Sequence, residues 1–396
     1  MVYPRNVESK NLKKIYSLFT EQKTLTRGDI VSKTGLTYPT VGKMIDKLLD
    51  EELITWQGMT KSTGGRRAEK YKINNQRLLV VGMTLKLNRV GMSLSSLNGE
   101  VIRKKGYLID YQGDLVVNLT KILKEFLSES DQLANKILGL SISFPGIVNK
   151  LQSKAVYSTI LKVTNLQLKD WLEQEFSFPV WLENDVNLMA MGESYFSRIN
   201  YQKGLLYIFW ETGIGSAMMF AQDLVNNEFA GQLGHVVVQP QGELCFCGKR
   251  GCLETVLSPA ILINQVKTRL ASQVKSSLHR YDPVTLIDVL KEAEKGDSLG
   301  EVVLDKIENS LGLALANYIE LFDPDLLILN GEIFHRVPFL VNRLKEYINS
   351  RIMFKGLRRL KIKSSQLGDQ AELLGLLVLL KQKELANKLD SLFGYS

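Results

Sequence analysis

The sequence predicts an α/β protein in which a two-lobed domain follows a small N-terminal helix-turn-helix module, and three observations carry that expectation. Charge is the first. Residues 1–77 hold 15 Lys/Arg against 8 Asp/Glu, while residues 78–396 hold 35 against 34, so nearly all of the net +8 sits in the first fifth of the chain. The second is a first segment that reads as three helices and a hairpin, opened by an apolar helical stripe. The third is an alternation of strand-like and helix-like stretches beyond Asn75, several strands running straight into turns, as in lobes that enclose a cleft.

In the first module, Leu12, Ile15, Tyr16 and Phe19 recur at i, i+3, i+4 and i+7 and form one stripe of a helix. TRGDIVSKTG then sets Thr26 and Asp29 in capping-box spacing and ends at Gly35, which marks a short second helix. Thr37 is the expected cap of a third helix, YPTVGKMIDKLLDEEL, with Pro39 in the first turn, where a missing N–H does no harm. Its core face should be Val41, Ile45, Leu48 and Leu49, leaving Tyr38, Thr40, Gly42 and Lys43 outward. Two helices joined by a tight turn, the second presenting small polar and basic groups, describe a helix-turn-helix. Two β-prone runs follow, Ile54–Gln57 and Glu69–Ile73, flanking a Gly-rich tip with Lys61, Arg66 and Arg67. That hairpin is what a winged variant needs to reach phosphates or the minor groove. Duplex DNA is therefore the expected partner, met by Thr37, Tyr38, Thr40 and Lys43 on the helix and by the three cations of the wing.

From Leu78 the chain reads as three strands with short turns, a helix over Leu115–Leu127 and the buried strand of ILGLSISFPGIVN. FPVWLENDVN and LLYIFWETGIG each lead a strand into a turn, and the last third alternates helices with the strand LLILNG. Overall composition, 45% hydrophobic and 23% charged, is that of a soluble globular protein. The apolar run Leu373–Leu380 is too short to span a bilayer, and MVYPRNVESKNLKK lacks the apolar core of a secretory signal. A cytoplasmic protein without a membrane partner is expected.

The chain holds three cysteines, Cys245, Cys247 and Cys252, all inside GHVVVQPQGELCFCGKRGCLE. Clustered thiols in a reducing compartment suggest a metal more than disulfides. With His235 they supply one imidazole and three thiolates, a complete tetrahedral set for Zn2+ that leaves no position for a catalytic water. A structural zinc is expected; three buried free thiols are the alternative.

The winged module, the strand ending in Pro145-Gly146, WLENDVN, TGIG, GQLGH, CFCGKRGCLE, DPDLLILNG and GDQAELLG occur in an order that resembles ROK proteins, the repressors and sugar kinases of actin-like fold. The likeness spans essentially the whole chain, and its most specific element is His-x9-Cys-x-Cys-x4-Cys. It implies a winged helix-turn-helix domain over 1–77 and a ROK sugar-kinase-like domain over 78–396. In that domain a small lobe would cover about 78–189 plus the C-terminal helix, and a large lobe about 190–375 with the zinc loop at 235–252. By the same resemblance Asn184 and Asp185 hold sugar hydroxyls, the Asp being the base in the kinases, and His235 and Glu254 add two more sugar contacts. Gln232 stands where the family usually has Glu, exchanging an acceptor pair for an acceptor and a donor.

The phosphate end departs from the kinases. Where they carry Asp-x-Gly-Gly-Thr, this chain has Thr84-Leu85-Lys86-Leu87-Asn88. The magnesium-orienting carboxylate is missing, and both glycines that let amides approach phosphate are replaced. Gly-Thr-Gly becomes Glu211-Thr212-Gly213, and the adenine-side Gly-Gly becomes Asn330-Gly331-Glu332. The expectation is a repressor that binds operator DNA as a homodimer or homotetramer and answers to a sugar or sugar-phosphate effector without catalysing phosphoryl transfer. An active sugar kinase with a DNA-binding module, and a repressor answering to a protein partner, are the alternatives.

Overall fold

A computed structural model describes residues 4–22, 24–60, 67–109, 113–129, 136–149, 154–197, 199, 201–221, 223–225 and 229–394. The chain divides into two compact units, residues 1–185 with 376–396, and residues 186–375.

The first unit begins with α1 (Pro4–Glu21), β1 (Leu25–Thr26), α2 (Arg27–Thr34), α3 (Tyr38–Asp50), β2 (Ile54–Met59) and β3 (Glu69–Ile73). Leu12, Ile15, Tyr16 and Phe19 are all buried, as the helical stripe requires. The capping box forms: the Asp29 amide donates to Thr26 Oγ1 at 3.1 Å, and the Thr26 amide donates to Asp29 Oδ2 at 2.8 Å. Gly35 ends α2 at φ 72°, a left-handed turn that glycine adopts without strain. Thr37 does occupy the N-cap position of α3, but its hydroxyl meets the Thr40 hydroxyl at 2.9 Å and caps no backbone N–H. The core face of α3 is Val41, Met44, Ile45 and Leu48, with Leu49 half-buried. Gly42 is buried as well, not outward, because α3 turns that side toward Arg27 of α2. β1, β3 and β2 form a three-stranded antiparallel sheet, so helix-turn-helix and wing are one packed module.

The same unit continues with β4 (Leu79–Lys86), β5 (Arg89–Ser96), β6 (Val101–Leu108), α4 (Leu115–Ser128) and β7 (Ile137–Phe144). A small antiparallel sheet of β8 (Ile147–Asn149), β9 (Lys154–Ser158) and β10 (Val163–Leu166) follows, then α5 (Leu168–Glu175) and β11 (Val180–Asn184). The main sheet has the order β11-β7-β4-β5-β6. β7 is buried at every position, as a central strand covered on both faces must be.

The second unit starts within α6 (Asp185–Phe196) and runs through β12 (Leu205–Trp210), β13 (Ile214–Phe220) and β14 (Asp223–Leu224). It continues with α7 (Leu253–Leu257), α8 (Pro259–Ala271), α9 (Leu286–Glu294), α10 (Ser298–Ile307) and α11 (Leu313–Phe322). β15 (Leu326–Asn330), α12 (Glu332–Arg336), α13 (Pro338–Arg351) and β16 (Lys361–Ser364) complete it, before α14 (Gln370–Leu392), which carries the chain back into the first unit. Its sheet order is β16-β15-β12-β13-β14. Both main sheets repeat one topology. An antiparallel meander (β4-β5-β6, β12-β13-β14) is extended from its first strand by two parallel strands (β7 and β11, β15 and β16). This duplication matches the sugar-kinase-like fold expected from the sequence. It also makes the two departing phosphate loops, Thr84–Asn88 and Glu211–Gly213, the first hairpin of each repeat. Among the described residues, no helix is long and apolar enough to cross a membrane.

Candidate functional site

In the N-terminal module, Thr37 and Tyr38 are exposed and Thr40 is half-buried. Lys43 is exposed and lies 3.0 Å from Glu8 of α1, which also takes Lys47 at 2.8 Å. The two lysines hold the Glu8 carboxyl below its ordinary range, through hydrogen bonding from Lys47 first and Lys43 second. Arg67 is exposed at the start of the returning strand; Lys61 and Arg66 lie outside the described residues. The module is tied to the rest of its unit at both ends. Asn75 Nδ2 donates to Glu100 at 2.7 Å, and Asp390 of α14 accepts from Ser9 Oγ at 2.6 Å and pairs with Lys13; inside the module, Arg77 Nε donates to the Glu51 carbonyl at 2.9 Å.

Asn184 and Asp185 stand where β11 gives way directly to α6. Asn184 Nδ2 donates to the Gly146 carbonyl and to Asp185 Oδ1, both at 3.0 Å, and the Asn184 amide donates to the buried Glu183 at 2.9 Å. Gly146 is required there: a Cβ would lie 2.2 Å from the Tyr157 carbonyl oxygen. Lys86, at the end of β4, brings its ammonium to 3.9 Å from Asp185 Oδ2. This pairing escaped the sequence, where Lys86 registers only as a lost glycine; the signal was a cation one residue from the hairpin tip. Nearby Thr84 lies against Gly91, so the hairpin has neither the carboxylate nor the bare backbone of a magnesium-phosphate loop.

In the second unit, Glu254 on α7 lies against the β12–β13 turn. A Cβ on Gly213 would come within 2.9 Å of its Oε2, and one on Gly234 within 3.2 Å. Burial pushes the Glu254 carboxyl up, partly opposed by a hydrogen bond from the Ile214 amide. Gln232 is half-buried and its carbonyl accepts from the His235 amide at 3.0 Å. Glu211, at the other end of the turn, is exposed. Asn330 is buried, with its side chain engaged by His335 at 3.0 Å and by the Gly368 carbonyl at 3.4 Å. Gly331 has φ 130°, and a Cβ there would collide with the Trp210 carbonyl oxygen at 2.0 Å. Glu332 pairs with Arg336 at 2.8 Å.

His235, Cys245, Cys247 and Cys252 converge, with one donor atom from each within 4.8 Å of all the others. His235 Nδ1 lies 3.5 Å from Cys245 Sγ, and Cys247 Sγ lies 3.6 Å from Cys252 Sγ. A tetrahedral ion with bonds of about 2.0–2.3 Å requires donor separations of roughly 3.5–3.8 Å, so the set fits a metal ion. Gly248 and Gly251, at φ 88° and 66°, provide the left-handed turns that fold the loop back on itself. Burial lowers the His235 pKa, assisted by Lys249, and keeps the imidazole a neutral donor. Burial pushes Cys252 up to about 12, so a thiolate there needs a cation beside it.

Residues 90–383 match the model of the ROK family. A xylose repressor of Caldicellulosiruptor bescii is 27% identical over 376 residues, covering 92% of this chain and 94% of the relative. The DNA-binding transcriptional dual regulator NagC of Escherichia coli is 26% identical over 380 residues, covering 95% and 93%. Among solved structures, a ROK family transcriptional regulator described as a homolog of E. coli MLC superposes with a TM-score of 0.82 at 25% identity, covering 98% of this chain and all of that one. A ROK family glucokinase from Streptomyces griseus, in complex with glucose and AMPPNP, superposes at 0.63 and 21% identity over 77% of this chain and 99% of its own. That likeness is one of fold.

Cys247→Ser should abolish metal retention and lower the melting temperature. Elemental analysis of chelator-free wild type should find one tetrahedral metal ion per chain. A metal-free wild type of unchanged stability would contradict the assignment.

Proposed function

The chain belongs to the ROK family, and from that premise we propose that it is a transcriptional repressor of carbohydrate genes whose kinase-like domain binds a sugar effector and does not phosphorylate it. One observation carries the reading: the chain, helix-turn-helix segment included, aligns almost end to end with a xylose repressor, a DNA-binding transcriptional dual regulator and a ROK family transcriptional regulator. Operator DNA would meet Thr37, Tyr38, Thr40 and Lys43 at base edges and Lys61, Arg66 and Arg67 at the backbone or minor groove. The sugar would be held by Asn184, Asp185, Gln232, His235 and Glu254. Zinc, borderline soft and content with four protein ligands, suits His235, Cys245, Cys247 and Cys252, and with no open position it is structural. His235 would hold the ion with one ring nitrogen and offer the other to a sugar hydroxyl. A repressor reading symmetric half-sites works as a homodimer or homotetramer in the cytoplasm.

Absence of catalysis follows from the replaced hairpins: Lys86 pairs with the would-be base, and Glu211 brings a like charge to a loop that must accept phosphate. An active kinase is the competing reading, because Asp185 itself is retained.

Arg67→Ala should weaken binding to every DNA sequence and flatten its salt dependence, whereas Thr40→Ala should reduce the preference for the operator over other duplexes by about 1–3 kcal/mol. Fluorescence anisotropy across a salt series reads both, and equal effects on operator and random DNA would contradict the division of roles. Incubation with magnesium-ATP and common hexoses should give no sugar phosphate; turnover at about 1 s⁻¹ or more would establish the kinase instead.

A further inference from the structure

We propose that Arg27, in the seam between the recognition helix and the wing, is a further DNA contact: a phosphate-binding guanidinium that Asp46 and Glu69 hold in the free protein and yield to the duplex. The inference rests on the DNA-binding reading above and adds to it a contact residue and its intramolecular competitors.

The local sequence puts Arg27 there. β1 ends at Thr26, which pairs with Lys70 of β3, and Arg27 follows as the first residue of α2. That pairing sets the start of the helix beside Glu69 and Tyr71 of the wing. From there the side chain reaches α3: Nη2 donates to Asp46 Oδ1 at 3.2 Å, and Nη1 lies 3.6 Å from where a Cβ on Gly42 would stand. The same Nη2 is 4.0 Å from Glu69 Oε2, and the guanidinium carbon is 6.0 Å from the centre of the Tyr71 ring. One cation thus touches both elements proposed to meet DNA. It also belongs to the first helix of the helix-turn-helix, the one that crosses the phosphate backbone in this motif.

The partners of Arg27 hold it loosely. Charge-assisted N–H···O bonds run to about 2.7–2.9 Å, shorter than either of these contacts, and Nε has no acceptor among the described residues. The Arg27 side chain keeps 38% of its surface exposed, Asp46 keeps 65% and Glu69 48%. Water therefore screens both attractions, and such pairs contribute little. A phosphate offers the planar guanidinium two parallel charge-assisted bonds, which is the stronger match. Asp46 and Glu69 act in the opposite sense, because carboxylates on the recognition helix and the wing repel the duplex and compete with it for the cation. Removing one of these acids should tighten DNA binding if Arg27 is a contact. An ion pair that only braced α2 against α3 would give the reverse.

Fluorescence anisotropy of the full-length protein across a salt series would use two probes, a random-sequence duplex and a duplex enriched by the wild type from a random pool. Melting temperature would confirm that each variant is folded. Arg27→Met should weaken both duplexes equally, by about tenfold or more at low salt, and reduce the slope of log affinity against log salt by about one. Arg27→Lys should keep the slope, since one charge still neutralises one phosphate, and recover part of the affinity. Asp46→Asn should tighten both duplexes by about 1.5- to 5-fold. A folded Arg27→Met with the wild-type slope, or an Asp46→Asn that binds no tighter than wild type, would overturn the proposal and leave DNA binding by the module intact. So would a loss confined to the enriched duplex, because a phosphate contact carries no sequence information. Should Arg27→Met fail to fold, the Asp46→Asn result decides alone in the same sense. A wild type that binds neither duplex would overturn the repressor reading and the proposal together.

Discussion

A partly buried carboxylate must be compensated, and each of the two units meets that requirement with its own groups. In a sugar kinase the base accepts the substrate hydroxyl, and magnesium, supplied from outside, neutralises the phosphate charge brought beside it. This chain supplies the compensation itself. Asp185 is met by Lys86 and Asn184, Glu254 accepts from the Ile214 amide of a turn that also crowds it, and Glu183 accepts from the Asn184 amide. Glu193, buried in α6, accepts from Gln366 at 2.8 Å and from Ser197 at 2.9 Å.

The same economy governs the metal loop and the DNA-binding module. The four donors of the loop are brought together by two left-handed glycine turns, and a cation held there would offset the burial that penalises free thiolates. In the first unit, α14 closes on α1 through Asp390, Ser9 and Lys13, while Arg77 and Asn75 fasten the segment that leaves the wing. The last residues of the chain therefore bear on the first helix of the DNA-binding module. A ligand-dependent change felt by α14 has a direct physical route to that module, provided effector affinity differs between the two states.

Much of this was legible in the sequence because it rests on local rules. The capping box of Thr26 and Asp29, the Gly35 stop, the apolar stripe of α1 and the order of strands each follow from spacing, and the structure contains them. The metal donor set was readable for the same reason, three of its four members lying within eight positions. What escaped depends on contacts between distant segments. Gly42 reads as outward from helical phase alone, yet Arg27 of the preceding helix covers it. Thr37 reads as a capping side chain, but a neighbouring hydroxyl, Thr40, captures it. Lys86 and Asp185 are 99 residues apart in sequence, and only the parallel strands β4, β7 and β11 carry them to one edge. Topology made that pair, and no period in the sequence announces it.

A kinase-like domain that reports sugar binding to a DNA-binding module requires the two binding events to be thermodynamically linked. Effector affinity measured by calorimetry with the free protein and again with the operator-bound protein tests this most directly. The account predicts different dissociation constants, by a factor of about 5–150, and the same factor in operator affinity when effector is added, since binding linkage is reciprocal. Identical effector affinity in the two states would contradict it, whatever the strength of either interaction alone.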